Sequence, residues 1–252
     1  MQLDTRKVRE QEFHDQRFAK GGPRGGTGVF YRITDESHDR HRSLIFDDCA
    51  GKRILEYGCG PGSKSFEMAK RGAIVTGIDI SPVAIEIARA RAAEEGLEDV
   101  TRFEVMDAES TTFPDGSFDL IVGGAILHHL DLNRSYAELS RLLAPGGRAV
   151  FIEPLGHNAL INLYRKLTPD ARTVDEHPLL RDDLRLAERY FGGVRVFYYH
   201  LLALAAAPFA KTPLFKPVLA SLSALDRALL SIPALQPYAW ISVLEFRAPQ
   251  HA

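Results

Sequence analysis

Three carboxylates and a run of alternate glycines carry the strongest chemical signal in this chain. In Ile54-Leu55-Glu56-Tyr57-Gly58-Cys59-Gly60-Pro61-Gly62, a β-prone apolar run enters a turn with glycine at every second position, and a helical pattern starts at Ser63. Glycine has no Cβ, so its backbone can approach a ligand closely. Two phosphate-binding readings fail on spacing. The dinucleotide fingerprint needs glycine or alanine at 63, where Ser63 stands, and no Gly-Lys-Ser/Thr follows at Walker spacing. Asp79 ends the next β-prone run, where a carboxylate accepts from both hydroxyls of a ribose. Asp107 follows Met106 at the end of the third run, placed for an adenine amino group, and Glu56 suits an ammonium. A ligand with amine, ribose and adenine matches the three acids, and a pyrophosphate would be repelled by them. Each acid alone also reads as a cap or a solvated turn residue.

A second group offers acid/base chemistry. Leu127-His128-His129-Leu130 follows the fourth β-prone run and Glu153 ends the fifth. A histidine beside a carboxylate gains basicity and a fixed tautomer, which suits proton removal from a hydroxyl. Packing and turn roles are the bland alternative for paired histidines. His129, His157, Asp175, Glu176 and His177 are substrate-contact candidates that a solvated loop would explain equally well. No His, Cys or acid spacing matches a recognised metal site, so no metal is expected.

The elements needed to position these groups follow from the apolar pattern. Strands are expected at Arg53–Tyr57, Ile74–Ile78, Arg102–Met106, Phe118–Val122 and Ala149–Ile152, with later ones at Val194–Tyr199 and Ala239–Phe246. Helices alternate with them. Ser63–Arg71 is stopped by Gly72, and Ser81-Pro82 opens a helix that runs to Gly96. Asn133–Leu143 carries Tyr136, Leu139, Leu142 and Leu143 on one face, and Pro145-Gly146-Gly147 turns the chain into the next strand. Alternation of this kind predicts a doubly wound α/β fold with a mostly parallel sheet. Residues 154–181 read as a long connection rich in Pro, His and Asp.

Residues 1–44 read as an N-terminal arm with a Gly/Pro hinge at Gly21–Gly28 between two charged segments that read as helices, and 45–252 as the folded domain. Phe30-Tyr31 follows the hinge, so Tyr31 is a candidate lid over the ligand, or a structural anchor in a groove. Residues 200–238 form an insert poor in charge, with Val218, Leu222, Leu225 and Leu229 at helical spacing. It is expected to cap an apolar acceptor, with packing as extra core the alternative.

The chain has 252 residues, 45% of them hydrophobic and 25% charged, so disordered and low-complexity classes are excluded. A formal net charge of −2 leaves no broad basic surface for nucleic acid. Cys49 and Cys59 are too few for a disulfide framework, pointing to a reducing, cytoplasmic setting. The polar start and the short apolar run Leu201–Ala210 argue against a secretory signal and a membrane span.

In order and register, ILEYGCGPG, GIDIS, MDAESTTFPDGSFDLIVGGAILHHL and LLAPGGRAVFIEP resemble the class I S-adenosylmethionine-dependent methyltransferases, over roughly residues 45–155. Among them, the chain looks most like the small-molecule branch related to ubiquinone/menaquinone and sugar O-methyltransferases. The resemblance implies a seven-stranded sheet with a final antiparallel strand and S-adenosylmethionine as cofactor. It implies that Glu56, Gly58, Gly60 and Gly62 cradle the methionine part and that Asp79 takes the ribose. Ile80 would pack on adenine, Asp107 with Ala108 would reach its edge, and Gly123 would lie beside the methyl donor. It further implies His128 and Glu153 as the base pair and a small-molecule acceptor, most simply an oxygen nucleophile. Nitrogen or carbon acceptors, a nicotinamide oxidoreductase and a non-catalytic cofactor-binding partner protein remain as alternatives.

Overall fold

A computed structural model describes residues 4–19, 32–167 and 176–250. Its centre is a seven-stranded sheet: β1 (Arg53–Tyr57), β2 (Ile74–Asp79), β3 (Thr101–Val105), β4 (Phe118–Gly124), β5 (Leu143–Pro154), β6 (Phe191–Tyr199) and β7 (Ile241–Pro249). The strands lie in the order β3-β2-β1-β4-β5-β7-β6. Only β7 runs antiparallel, paired to β5 on one side and β6 on the other. The doubly wound sheet and its antiparallel last strand agree with expectation. Strand order reverses between β1 and β4, and the carboxyl ends of these two strands open the ligand crevice of such a sheet.

Alternation along the strands feeds one core on each face. Leu55 and Tyr57 of β1, Ile121 of β4, Phe151 of β5 and Phe246 of β7 are buried together on one side. Ile54, Leu120, Val122, Val150 and Val243 are buried on the other. A strand covered on both faces must be apolar at nearly every position, which is why these runs show no polar alternation.

Helices α1 (Thr5–Ala19), α2 (Asp35–Phe46), α3 (Ser63–Ala69), α4 (Pro82–Glu95) and α5 (Leu132–Leu142) precede β5 in the chain. Their ends follow local chemistry. The Ser81 side chain accepts from the Ala84 amide at 3.1 Å, Pro82 opens α4, and Gly96 closes it in the left-handed region at φ +64°. Asp131 caps α5 by accepting from the Arg134 amide at 3.1 Å.

β5 departs from expectation by starting at Leu143. Pairing jumps from Phe118↔Leu143 to Leu120↔Arg148, so the Pro-Gly-Gly segment survives as a bulge inside the strand, with Gly146 at φ +78°. The connection after β5 also holds an unexpected helix, α6 (Ala159–Leu167). Asn158 starts it by accepting from the Leu160 and Ile161 amides, both at 3.1 Å. A short helix, α7 (Arg181–Leu186), leads to β6.

Between β6 and β7 the insert forms a 3₁₀ segment at Ala203–Phe209 and helix α8 (Phe215–Leu230). The Asp226 carboxylate accepts from the Leu202 and Ala203 amides at 2.7 and 3.1 Å, fixing α8 to that segment. Val218, Leu219 and Leu222 pack on the core cluster that includes Ala203, Leu204, Phe215 and Trp240. Leu225 faces solvent. Among the described residues, none of 200–238 lines the large cavity at the strand ends. Among the described residues the insert packs as additional core. Leu222→Asp is accordingly expected to lower unfolding stability by about 1–3 kcal/mol. It should leave the acceptor's Michaelis constant unchanged. A raised Michaelis constant with intact stability in a denaturation series would reverse this. No helix among the described residues is long and apolar enough to cross a membrane.

Candidate active site

A cavity of about 600 Å³ opens where β1, β2, β4 and β5 end, with α1 and α6 over it. The turn from β1 to α3 forms one wall. Its glycines take positive φ, +73° at Gly58, +49° at Gly60 and +80° at Gly62. A Cβ at Gly58 would come within 2.9 Å of Ile126, and one at Gly60 would meet the Phe18 ring of α1 at 3.3 Å. Amides of Gly58 and Cys59 both donate to the Ile78 carbonyl at 2.9 Å, which clamps the turn to β2.

The three acids converge on this cavity. Glu56 is buried and accepts from the Ser65 hydroxyl. Its burial raises the carboxyl above the usual range, against the charge of Lys64 and the Ser65 hydrogen bonds. Asp79 accepts from the Gly60 amide at 2.8 Å and the Ser81 amide at 2.9 Å. Desolvation raises this carboxyl too, with those amides working against the shift. A carboxylate has about four acceptor sites, so Asp79 keeps capacity for a diol after these two bonds. Cap and ligand roles are therefore compatible here: Ser81 does the capping and Asp79 steadies the glycine turn. Asp107 accepts from the Glu109 amide at 2.9 Å and pairs with the Lys7 ammonium at 2.7 Å.

His128 and Glu153 meet on the same cavity wall. His128 Nδ1 lies 2.7 Å from Glu153 Oε2, while Oε1 accepts from the Ile126 and Leu127 amides at 2.9 Å each. Glu153 is fully buried, so the turn after β4 and the acid at the end of β5 are locked together. With Nδ1 facing the carboxylate, Nε2 is the ring nitrogen left to take a proton. His129, the next residue, faces α1: its Nδ1 lies 3.1 Å from Glu10 Oε2, and Arg6 donates to its carbonyl.

The other expected residues divide between this cavity and other places. Ile80 and Ala108 line the cavity, but Gly62 and Gly123 do not. A Cβ at Gly62 would press on Phe103 and Phe66, and one at Gly123 would reach 2.5 Å from Phe151, so both glycines are required by packing. At the end of β4 the lining begins at Gly124 and Ala125 instead. His157 lies 6.3 Å, ring to ring, from Tyr238 and lines a separate cavity of about 220 Å³. Tyr31 and Asp175 lie outside the described residues.

Sequence reading gave a charged N-terminal helix but missed its place at the cavity, and it missed α6. Lys7, Glu10, His14 and Phe18, spaced at helical intervals on α1, all line the cavity, as do Ile161 and Tyr164 of α6. The only advance signal was this i, i+3, i+7, i+11 pattern, hidden in a helix of low hydrophobicity. α1 is seated by charge. Lys7 reaches Asp107 and Glu109, both at 2.7 Å, and Arg6 also pairs with Glu109. Burial works to raise the Glu109 carboxyl, but hydrogen bonds from Lys7, the Asp131 amide and Arg6 outweigh it and hold the group below its usual value. A lowered folded value stabilises the docked helix above the unfolded carboxylate value of about 4.3, and that stabilisation is lost as pH falls through the folded value. Hydrogen exchange is therefore expected to show α1 losing protection below about pH 4, ahead of the strands. Simultaneous loss in helix and sheet would contradict this seating.

Comparison with known proteins agrees with the geometry. Residues 55–151 match a family described as a methyltransferase domain. "Methyltransferase GfsG" of Streptomyces halstedii is 36% identical over 119 residues, 46% of this chain and 41% of that protein. The ubiquinone biosynthesis O-methyltransferase of Nitrosococcus oceani is 42% identical over 104 residues, 40% of this chain and 43% of that one. This chain thus spans less than half the length of either relative. Geranyl diphosphate C-methyltransferase of Streptomyces coelicolor A3(2) shares the fold, with a TM-score of 0.67 over 98% of this chain and 100% of that one, at 16% identity. Residues 55–151 thus carry a methyltransferase domain, set in the fold of known methyltransferases, with the three-acid cavity at the strand ends. S-adenosylmethionine is the cofactor of this class, and Glu56, Asp79 and the glycine turn fit its charged and hydroxylated parts.

Proposed function

We propose that the chain transfers a methyl group from S-adenosylmethionine to an oxygen of a small, largely apolar acceptor, with His128 receiving the acceptor's proton. The observation that carries this reading is the 2.7 Å contact between His128 and buried Glu153 on the cavity wall. When bound, the cofactor supplies a methyl on an activated sulfonium, so in-line placement of the acceptor accounts for most of the acceleration. Held by Glu56, Asp79 and the glycine turn, the cofactor would supply the methyl for the acceptor oxygen, and His128 Nε2 would take that hydroxyl's proton. Glu153 holds the ring and stabilises the imidazolium. Ile126, Leu130, Ile161, Tyr164 and Trp240 favour an apolar acceptor body. A small-molecule partner in the cytoplasm, without stable membrane attachment, completes the reading.

The test is to incubate pure protein and methyl-labelled donor with cell extract, then identify labelled products by mass spectrometry. Oxygen-bound label and release of S-adenosylhomocysteine are expected. Calorimetry showing binding of NADH and none of S-adenosylhomocysteine would overturn the donor assignment. Label on nitrogen or carbon would overturn the acceptor assignment alone.

A further inference from the structure

Glu10 and His14 sit one turn apart on α1, and both point at His129 in the turn after β4. Glu10 Oε2 lies 3.7 Å from His14 Nε2 and 3.1 Å from His129 Nδ1. One ligand atom from each of the three residues falls within 4.8 Å of the others. We propose that Glu10, His14 and His129 form a binding site for a divalent transition metal, best matched to Zn²⁺, that ties α1 to the catalytic turn.

The distances support an ion. Metal bonds of about 2.1 Å place neighbouring ligand atoms about 3.0 Å apart at right angles and about 3.4 Å apart in a tetrahedron. The two measured separations, 3.1 and 3.7 Å, lie on either side of the tetrahedral value. Two imidazoles and one carboxylate are a donor set for Zn²⁺ and its neighbours rather than for Mg²⁺ or Ca²⁺, which take oxygen. Glu10 and His129 are buried, so their ligand atoms are largely shielded from bulk solvent. His129 is also preset by the protein, with its amide donating to the Ile126 carbonyl at 3.0 Å and its own carbonyl held by Arg6. All three residues line the large cavity, so a coordination position left by three protein ligands opens toward it. That position suits water or an oxygen of the acceptor. The site does not depend on the His128–Glu153 assignment, since neither residue is among the three ligands.

A neighbouring group, His128, His129 and Glu176, shares His129 and is the rival location. With its Nδ1 on Glu153, His128 could offer that group only Nε2, the nitrogen assigned to the acceptor's proton.

The experiment uses the untagged full chain, stripped with a chelator. It is titrated with Zn²⁺ by calorimetry and with Co²⁺ by visible absorption. One ion per chain, ligand-field bands of Co²⁺, and slower amide exchange in α1 on adding Zn²⁺ are expected. His14→Ala and Glu10→Gln should each weaken Zn²⁺ binding by at least about tenfold. If the alanine variant does not fold, the near-isosteric Glu10→Gln decides. The proposal is overturned if the wild-type chain binds no Zn²⁺, or if both variants bind as tightly as wild type. Loss in Glu176→Gln alone also overturns it, by moving the ion to the rival group.

Discussion

His128→Ala is expected to lower methyl-transfer turnover by about a hundredfold or more while leaving S-adenosylhomocysteine affinity nearly unchanged. The reason is geometric. His128 stands at the cavity wall, and its Nδ1 is fixed by a carboxylate that is itself fixed by two backbone amides. Removing the ring takes away the proton acceptor without touching the glycine turn or Asp79. Glu153→Gln is the informative companion, because a glutamine oxygen can still accept from the Ile126 and Leu127 amides while the negative charge is gone. Its turnover should fall with the turn intact. If His128→Ala turns over like the wild type, proximity and orientation alone drive the reaction.

Asp79→Ala should weaken S-adenosylhomocysteine binding by about 1–3 kcal/mol, or about 5- to 150-fold. Two losses combine. The acceptors for a ribose diol disappear, and the Gly60 and Ser81 amides lose the carboxylate that holds them at 2.8 and 2.9 Å. Asp79→Asn separates the two, since its amide oxygen can still accept from one of those N–H groups. Calorimetry at matched ionic strength is the measurement, and unchanged affinity in Asp79→Ala would remove the residue from the ligand site.

Much of this arrangement is legible in the residues alone, because its determinants are local. Strand β1, its glycine turn and Asp79 announce themselves through apolar continuity, through glycines whose φ is positive, and through a Ser-Pro helix start. His128 follows β4 and Glu153 lies near the end of β5, and these strands are parallel neighbours, so topology brings the two to one edge. What escaped reading depends on distant partners. α1 has no apolar stripe, and its docking is ion pairing with Asp107 and Glu109, about a hundred positions away. Lys7 and Glu10 are buried charges that composition would assign to solvent. α6 is signalled only by Asn158, one cap inside a polar connection. In the insert, the stripe at Val218 and Leu222 was visible, but periodicity cannot say whether a stripe faces a ligand or a sheet.

The position of β7 governs how this protein can be assembled during synthesis. Residues 148–154 of β5 pair with 241–247, and among the described residues β6 pairs only with β7. At a ribosomal pace of about 5–20 residues per second, β5 waits several seconds with an open, apolar edge before its partner exists. The strand that closes the sheet also secures Glu153, whose register partner is Ser242 and whose carbonyl accepts from the Ser242 hydroxyl at 3.3 Å. Assembly is therefore slow and long-range at its last step, and the nascent chain is most prone to self-association in that interval. The residue that orients the catalytic histidine is held in place by the strand translated last among those described.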